Sequence, residues 1–216
     1  MIPATGAGPD HPAAGLRPDL DLPAIRDVAA MCRACDLWEK ATQTVFGEGS
    51  TTARLMLVGE QPGDREDIAG HPFVGPAGLM LDEALDLARI DREHVFVTNV
   101  VKHFKWRPSG KRRLHERPNP AQVRACRPWL DLELDLVRPE ILVPMGATAA
   151  QSIISPEFRV SELHGKLLPP LTEGGPRLVA TYHPSSILRS RSSEEREAGL
   201  RMLVEDLVVA REALAA

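Results

Sequence analysis

RLMLVGEQPG (residues 54–63) is a short apolar run that passes directly into a cluster of polar residues. Its apolar part, 54–59, has the length and continuous hydrophobicity of a strand buried on both faces, and it ends in glycine. Open parallel sheets place their ligand sites just past the carboxyl ends of such strands. The pattern predicts a buried strand with Glu60, Gln61 and Asp64 in a site at its end. The alternative is an acidic turn shaped by proline and glycine.

Three later runs also predict buried strands, and helical patterns separate them. A helix between two strands requires the strands to be parallel, so the chain alternates as an α/β protein does. We predict a three-layer α/β/α sandwich around a central, mainly parallel four-stranded sheet. Asn99 and His183 each follow one of these strands and are expected at the same sheet edge as Glu60. The three runs are residues 95–98, 140–146 and 178–181.

Composition predicts a single domain. A chain of 216 residues with 43% hydrophobic and 26% charged residues can bury one sizeable core. Residues 1–22 are rich in Pro, Gly and Ala without any sustained period, which predicts a flexible tail before a domain spanning 23–216. The sequence has neither an apolar run near the ~20 residues that span a bilayer nor a signal-peptide pattern. We therefore expect a cytoplasmic protein that does not bind membranes. We also expect a monomer.

The three cysteines are an odd number in a reducing compartment, which argues against a disulfide framework. Cys32 and Cys35 have C-x-x-C spacing at the end of a helix predicted to begin near Pro23. Two thiols in this spacing can bind one metal or cluster. Taken alone, the spacing equally indicates a metal site, a dithiol pair or two unconnected thiols.

A cationic stretch runs from Lys102 to Arg127. It contains nine Lys or Arg against one acid, Glu116, in a chain of formal net charge −4. Such segregated charge is typical of a surface that faces a polyanion, because each neutralised phosphate releases condensed counterions. The alternative is a solvated basic loop.

The predicted sheet edge brings together chemistry that suits a planar heterocycle. Phe73, in the rigid turn HPFVGP (71–76), supplies an aromatic face on which a ring can stack. The Asn99 amide can read adjacent donor and acceptor groups, and His183 can donate to an oxygen that gains charge. An enzyme acting on a nucleic-acid base must flip it from the stack and hold the flanking phosphates, which the cationic stretch can do.

Several short motifs resemble, in chain order, those of the iron–sulfur uracil-DNA glycosylases. GEQPG together with KRRLH is similar to the UdgX branch, which is related to family 4 and becomes covalently attached to uracil-containing DNA. The resemblance runs from about Met31 to the end of the chain. It implies uracil-DNA glycosylase activity in base excision repair. The motifs are GEQPG (59–63), HPFVG (71–75), VTN (97–99), KRRLH (111–115) and HPS (183–185).

The resemblance also implies a role for each matching residue. His115 would be the nucleophile, Glu60 would assist the sugar cation or orient His115, and His183 would support the leaving uracil. Uracil would stack on Phe73 and bond to Asn99. The remaining implied members are Gln61 and Gly59 at the base, Asp64 as a further polar group of the pocket, and Lys111, Arg112, Arg113 and Ser185 on the DNA.

The family's cluster has four cysteine ligands, whereas this chain has three cysteines. His103 stands where the fourth would lie, as it does in UdgX-like sequences. The resemblance thus implies a structural four-iron four-sulfur (4Fe-4S) cluster held by Cys32, Cys35, His103 and Cys126. The residue chemistry alone equally allows a zinc site with three cysteines and one histidine.

The proposed role of His115 as the nucleophile has a simple physical basis. Breaking the N-glycosidic bond leaves an oxocarbenium-like C1′, which ordinary glycosylases give to an activated water. A neutral imidazole in the water's position would capture C1′ instead and form a lasting bond, so the reaction would occur once. Two alternatives stay open: a turnover glycosylase in which His115 contacts phosphate, and a metal-containing nucleic-acid binding module without catalysis. Uracil-containing DNA, with single strands accepted, is the expected partner.

Overall fold

The computed structural model describes residues 10–14, 16 and 21–215. No helix in this described part is long and apolar enough to cross a membrane. The elements in chain order are α1 (Leu22–Ala30), β1 (Leu55–Gly59), α2 (Asp64–Ala69), α3 (Pro76–Leu87), β2 (Val95–Asn99), β3 (Trp106–Ser109), β4 (Arg112–His115), α4 (Pro120–Val137), β5 (Ile141–Pro144), α5 (Ala147–Ile153), α6 (Val160–Leu163), β6 (Leu167–Leu168), β7 (Arg177–Val179), α7 (Pro184–Leu188) and α8 (Ser193–Ala215).

The central sheet has the strand order β2-β1-β5-β7-β6. All neighbours are parallel except β6 and β7, which are antiparallel. The predicted α/β class with a mainly parallel sheet is confirmed. The sheet has five strands rather than the predicted four, because two residues, Leu167–Leu168, pair at its edge. A strand this short has no periodic signal in the sequence.

Both faces of the sheet are covered, which explains why β1 is apolar throughout. Leu55 and Leu57 pack into a core with residues of α3 and α8. Met56 and Val58 point the other way, into a second core with residues of α1 and α4. Side chains alternate between the two faces of a strand, so burial on both sides demands a continuous apolar run. Each of these four residues is at most 2% exposed.

The KRRLH segment forms a β-hairpin with β3, a pairing that the sequence did not predict. Trp106 pairs with His115 and Ser109 with Arg112 in antiparallel register. Gly110 sits in the turn with φ 58°, a left-handed conformation that glycine adopts without a Cβ penalty. His115 thus lies at the end of a regular strand, and this fixes its place relative to the sheet.

Part of the predicted tail packs against the domain. His11 Nε2 lies 3.0 Å from the Ala125 carbonyl oxygen, and its ring lies 5.5 Å from that of Trp129. Ala13 is 7% exposed. Residues of the 10–14 segment therefore contact the domain, while 1–9, 15 and 17–20 lie outside the described residues. The flexibility of the tail stays a prediction.

Candidate active site

The sheet topology brings the polar strand ends to one edge. Gly59, at the end of β1, is opposite Asn99, at the end of β2. A parallel bridge between Met145 and Thr181 carries the β7 end, and with it His183, to the same edge. These ends surround an open cleft of about 1050 Å³. Of the residues predicted from sequence, the lining includes Glu60, Gln61, Phe73, Asn99, His115, His183 and Ser185.

Phe73, Asn99 and His183, which all line the cleft, come together at the backbone of Gly59 and bound a recess beside it. A Cβ atom at Gly59 would stand 2.8 Å from Phe73 Cζ and 3.2 Å from His183 Nε2, and it would collide with Asn99 Oδ1. The aromatic ring, the amide and the imidazole therefore converge on one small volume. The Phe73 and His183 rings are 6.1 Å apart between centroids and tilted by only 28°. Glycine is required because any side chain would fill the recess.

Asn99 presents an acceptor without a partner. The residue is 2% exposed, and Asn99 Oδ1 has no hydrogen bond to any group in the described part of the chain. A buried polar atom left in this state costs free energy, about 1–3 kcal/mol, so such atoms mark places where a ligand completes the bonding. An amide can accept from one ring N–H and donate to the neighbouring carbonyl.

The backbone at Phe73 is held in a strained conformation. Its φ is 56°, in the left-handed region that non-glycine residues rarely adopt. Glu66 holds the following residues in place, because Glu66 Oε1 accepts from the Gly75 N–H at 2.7 Å. Gly78 in α3 lets the helix approach the turn, since a Cβ there would collide with the Phe73 carbonyl. The turn thus fixes the direction of the aromatic ring.

His183 is neutral at physiological pH. Burial lowers the pKa of His183 to about 4, although the nearby Glu60 carboxylate acts to raise it. Nδ1 of His183 accepts from the Ser185 N–H at 3.1 Å. The proton of the neutral ring is thereby assigned to Nε2, the nitrogen that faces the recess. His183 can therefore donate to an anionic oxygen.

Glu60 lies between His115 and Thr148. Glu60 Oε1 is 3.2 Å from His115 Nε2, and Glu60 Oε2 accepts a hydrogen bond from Thr148 Oγ1. Burial acts to raise the pKa of Glu60, but the bonds from His115 and Thr148 outweigh it, and the pKa lies below its ordinary value. The carboxylate is therefore ionised and orients the His115 ring.

Gln61 holds the hairpin against the sheet. Its Nε2 donates to the carbonyl oxygens of Lys105 at 3.2 Å and Glu116 at 3.1 Å, while its Oε1 accepts from the Lys105 N–H at 3.2 Å. These two residues flank the hairpin. The amide of Gln61 is thus engaged in fixing the strand that carries His115, in addition to lining the cleft.

Arg113 and Asp64 pair with each other away from the cleft lining. Arg113 Nε lies 2.5 Å from Asp64 Oδ1, and Arg113 Nη1 lies 2.6 Å from Asp67 Oδ2. The structure therefore does not bring Asp64 together with the pocket residues. Arg113 ties the hairpin to the start of α2, and its contact with DNA stays a prediction.

The cationic stretch contains cations that are paired with acids and cations that are exposed to solvent. Lys102 is fully buried with Glu133, their Nζ and Oε2 atoms 2.7 Å apart, so it adds nothing to the exposed charge. Arg127 lies 2.6 Å from Asp131. The exposed members are Arg107, Lys111, Arg112, Arg117 and Arg124. Lys111 and Arg112 stand at the hairpin turn, outside the cleft lining.

Two of the three thiols accept hydrogen bonds of a kind that fits an iron–sulfur cluster. Trp129 Nε1 donates to Cys32 Sγ at 3.3 Å, and the Lys102 N–H donates to Cys126 Sγ at 3.2 Å. Hydrogen bonds to sulfur are among the contacts by which proteins tune such clusters. Burial raises the pKa of Cys126 to about 12, and the charges of Cys35 and Cys32 raise it further.

His103 completes the donor chemistry. It is 4% exposed, and burial lowers its pKa to about 4, so the ring is neutral as a metal ligand must be. Within the described ranges, no three His, Cys, Asp or Glu side chains converge where a single metal ion could bind. The residue types therefore fit the cluster, while the ligand set implied by the resemblance stays a prediction.

Sequence reasoning missed Thr148 and the Lys102–Glu133 pair. Thr148 lies four residues past the last residue of β5, at the same sheet edge that pointed to Glu60 and Asn99. The strand-end rule applied to β5 could therefore have found it. Nothing local marks Lys102, because its partner lies 31 residues further along the chain.

Comparison with known proteins adds an independent line of evidence. Residues 46–208 match the model of the uracil DNA glycosylase superfamily. The chain is 37% identical over 177 residues to a type-4 uracil-DNA glycosylase of Thermotoga maritima, covering 82% of this chain and 85% of the relative. It is 36% identical to a type-4 uracil-DNA glycosylase of Archaeoglobus fulgidus, covering 84% and 90%. A type-5 uracil-DNA glycosylase of Thermus thermophilus is 29% identical, covering 74% and 78%.

Proposed function

The chain belongs to the uracil-DNA glycosylase superfamily, and we propose that it excises uracil from DNA and is captured covalently on the abasic sugar through His115. The finer part of this proposal places the chain in the UdgX branch. One observation carries it: His115 Nε2 lies 3.2 Å from Glu60 Oε1 in the lining of the cleft that contains the Gly59 recess. This contact supports the proposal because an imidazole beside the carboxylate would take the place of the water molecule that an ordinary glycosylase activates.

The recess supports recognition of uracil. The ring would stack on Phe73, and the unpaired Asn99 Oδ1 would accept from the N3–H of the base. His183 Nε2–H would donate to the uracil oxygen that gains negative charge as the base departs. A neutral His183 ring suits this task because it can donate from Nε2–H without any prior change of protonation.

The capture step needs no reactant other than the protein and the DNA. The bond between C1′ and N1 of uracil breaks, and its electron pair leaves with the base. A ring nitrogen of neutral His115 gives its lone pair to C1′ and forms the new C–N bond. The ring proton passes to Glu60, whose ionised carboxylate also stabilises the positive charge on the sugar before capture.

The exposed cations support the choice of DNA as partner. Lys111 and Arg112 at the hairpin turn would contact phosphates beside the flipped nucleotide, and Ser185 would do so from the segment that follows β7. Arg113 would act indirectly by holding the hairpin. We propose that single strands are accepted because no duplex has to be opened, and that the protein acts as a cytoplasmic monomer.

We also propose that Cys32, Cys35, His103 and Cys126 hold a 4Fe-4S cluster. The buried sulfurs that accept N–H bonds and the neutral imidazole support it. These residues would supply three thiolates and one imidazole as ligands of the cluster. Its role would be structural, joining the end of α1 to α4 and to the chain before the hairpin.

A gel experiment tests the proposed function. The purified protein is mixed with a uracil-containing single-stranded oligonucleotide, boiled in detergent and run on a denaturing gel beside His115→Ala. We expect a slowly migrating band that requires both uracil and His115. A matched oligonucleotide with thymine in place of uracil controls for non-specific retention, and Arg124→Ala controls for loss of a cation outside the cleft.

The other outcomes separate the alternatives. Many equivalents of released uracil without a band would identify a conventional glycosylase, the activity named for the type-4 relatives. Binding without released uracil and without dependence on His115 would identify a nucleic-acid binding module. Either result refutes covalent capture.

A further inference from the structure

We infer that Thr148 is a positioning residue: its hydroxyl holds one oxygen of the Glu60 carboxylate so that the other faces His115. This inference deepens the proposed function and rests on it, because it concerns how Glu60 acts on the nucleophile. The motif series does not include Thr148, which the tertiary structure brings to the carboxylate.

The contacts divide the carboxylate between two partners. Thr148 Oγ1 donates to Glu60 Oε2, while His115 Nε2 lies 3.2 Å from Glu60 Oε1. A glutamate side chain has three rotatable bonds and can turn its carboxylate away from a partner. A second bond to Oε2 removes that freedom. Thr148 itself is 7% exposed, so its hydroxyl has little water with which to exchange the bond.

The fold explains why Thr148 is there. β1 and β5 are parallel neighbours, with Val58 opposite Pro144, so the segments after these strands lie side by side. Gly146 then turns the chain with φ 84°, and α5 begins at the next residue. A Cβ at Gly146 would stand only 2.9 Å from the Cβ of His183. The tight turn thus delivers Thr148 to Glu60 while leaving room for His183.

A hydroxyl is a suitable partner for this carboxylate. It donates a hydrogen bond without carrying a charge, so it fixes Glu60 and leaves the full negative charge to act on His115 and the sugar. A lysine or arginine in its place would neutralise that charge. The same bond helps to keep the pKa of Glu60 below its ordinary value despite burial, so the carboxylate stays ionised.

The alternative is that Thr148 only fills space in α5, and a double-mutant cycle distinguishes the two. Two quantities are measured: the single-turnover rate of adduct formation and the half-saturating concentration, which is the oligonucleotide concentration that gives half of the maximal rate. They are compared among the unaltered protein, Thr148→Val, Thr148→Ser, Glu60→Ala and the double variant Glu60→Ala with Thr148→Val. Ser152→Ala is the matched control. It removes a hydroxyl group in the same helix, and that hydroxyl bonds only to the Ala149 carbonyl. Thr148→Ala serves if the valine variant does not fold.

Positioning predicts a distinct pattern of rates. Thr148→Val should slow adduct formation by about tenfold, the rate equivalent of one hydrogen bond to a charged group. The half-saturating concentration should not change, because the bond does not contact the base. Thr148→Ser should restore the rate. In the Glu60→Ala background, Thr148→Val should have no further effect, because Thr148 acts only through that carboxylate.

Any of three results would overturn the inference. The first is a rate of adduct formation for Thr148→Val within twofold of the rate for Ser152→Ala. The second is an equal effect of Thr148→Val on this rate with and without Glu60, and the third is a change in the half-saturating concentration alone. Failure of the proposed function is seen separately, in the unaltered protein. If that protein releases uracil without forming an adduct, the same cycle measured on uracil release decides the role of Thr148. If it does neither, both conclusions fall.

Discussion

Breaking the buried Lys102–Glu133 pair should destabilise the fold strongly. Lys102 Nζ donates to Glu133 Oε2, Thr98 Oγ1 and the Asn99 carbonyl, each at 2.7 Å. Both charged side chains are completely buried. The pair therefore lies directly beneath the recess, with one of its bonds reaching the backbone of Asn99.

Lys102→Met removes all three bonds and leaves the Glu133 carboxylate buried without its cation. The Gly47 N–H still donates to Glu133 Oε1 at 2.8 Å, and the Thr98 hydroxyl still donates to Oε2 at 2.8 Å, but two neutral donors do not offset a buried charge. Loss of one partner of a buried pair costs about 3–5 kcal/mol, which for a chain of this size lowers the thermal midpoint by about 6–20 °C.

The assay is thermal and denaturant unfolding followed by circular dichroism, with iron content measured in parallel. Lys102→Met combined with Glu133→Gln should recover more than half of the lost free energy of unfolding, because no charge then remains buried. Glu140→Gln, which breaks the exposed Arg54–Glu140 pair, should have a far smaller effect. A double variant as unstable as Lys102→Met would refute the reasoning, since the cost would then not come from the unpaired charge.

Three further outcomes are expected. Gln61→Ala should slow adduct formation by about tenfold or more and leave the thermal midpoint within a few degrees, because its bonds to the hairpin position His115; an unchanged rate would exclude this role. The free energy of unfolding should fall as pH drops from 6.5 towards 4, since the unfolded chain binds a proton that folded His183 does not, and His183→Gln should flatten this slope; parallel curves would contradict it. Cys126→Ser should lower the iron content and the thermal midpoint, whereas a purified native protein that contains zinc but no iron would refute the cluster.

Much of the fold and the site could be predicted because the relevant signals are local. The apolar run 54–59 shows a strand buried on both faces, and the residues just past it enter the cleft by a general rule of parallel sheets. Glu60, Asn99 and His183 were expected together on this basis, and the structure places all three in the cleft lining. The two-residue strand at 167–168 lacked any such pattern and was missed.

Contacts between distant segments could not be predicted in the same way. Arg113 reads as one more cation of the basic stretch, yet it pairs with Asp64, 49 residues earlier in the chain. Lys102 likewise belongs to that stretch by sequence and to the core by structure. Charge in a sequence does not show which side chains find a partner once the chain has folded.

The local sequence determines three features through its periodicity and residue chemistry. These are the order and type of the strands, the polar groups at the strand ends and the glycine beside the recess. The partners of those groups depend on the tertiary structure. Only the packing of β5 beside β1 brings Thr148 to Glu60, and only the hairpin register places His115 on the other side of the carboxylate. The reason is physical: hydrogen bonds and ion pairs act over a few ångströms, and folding decides which distant residues come within that range.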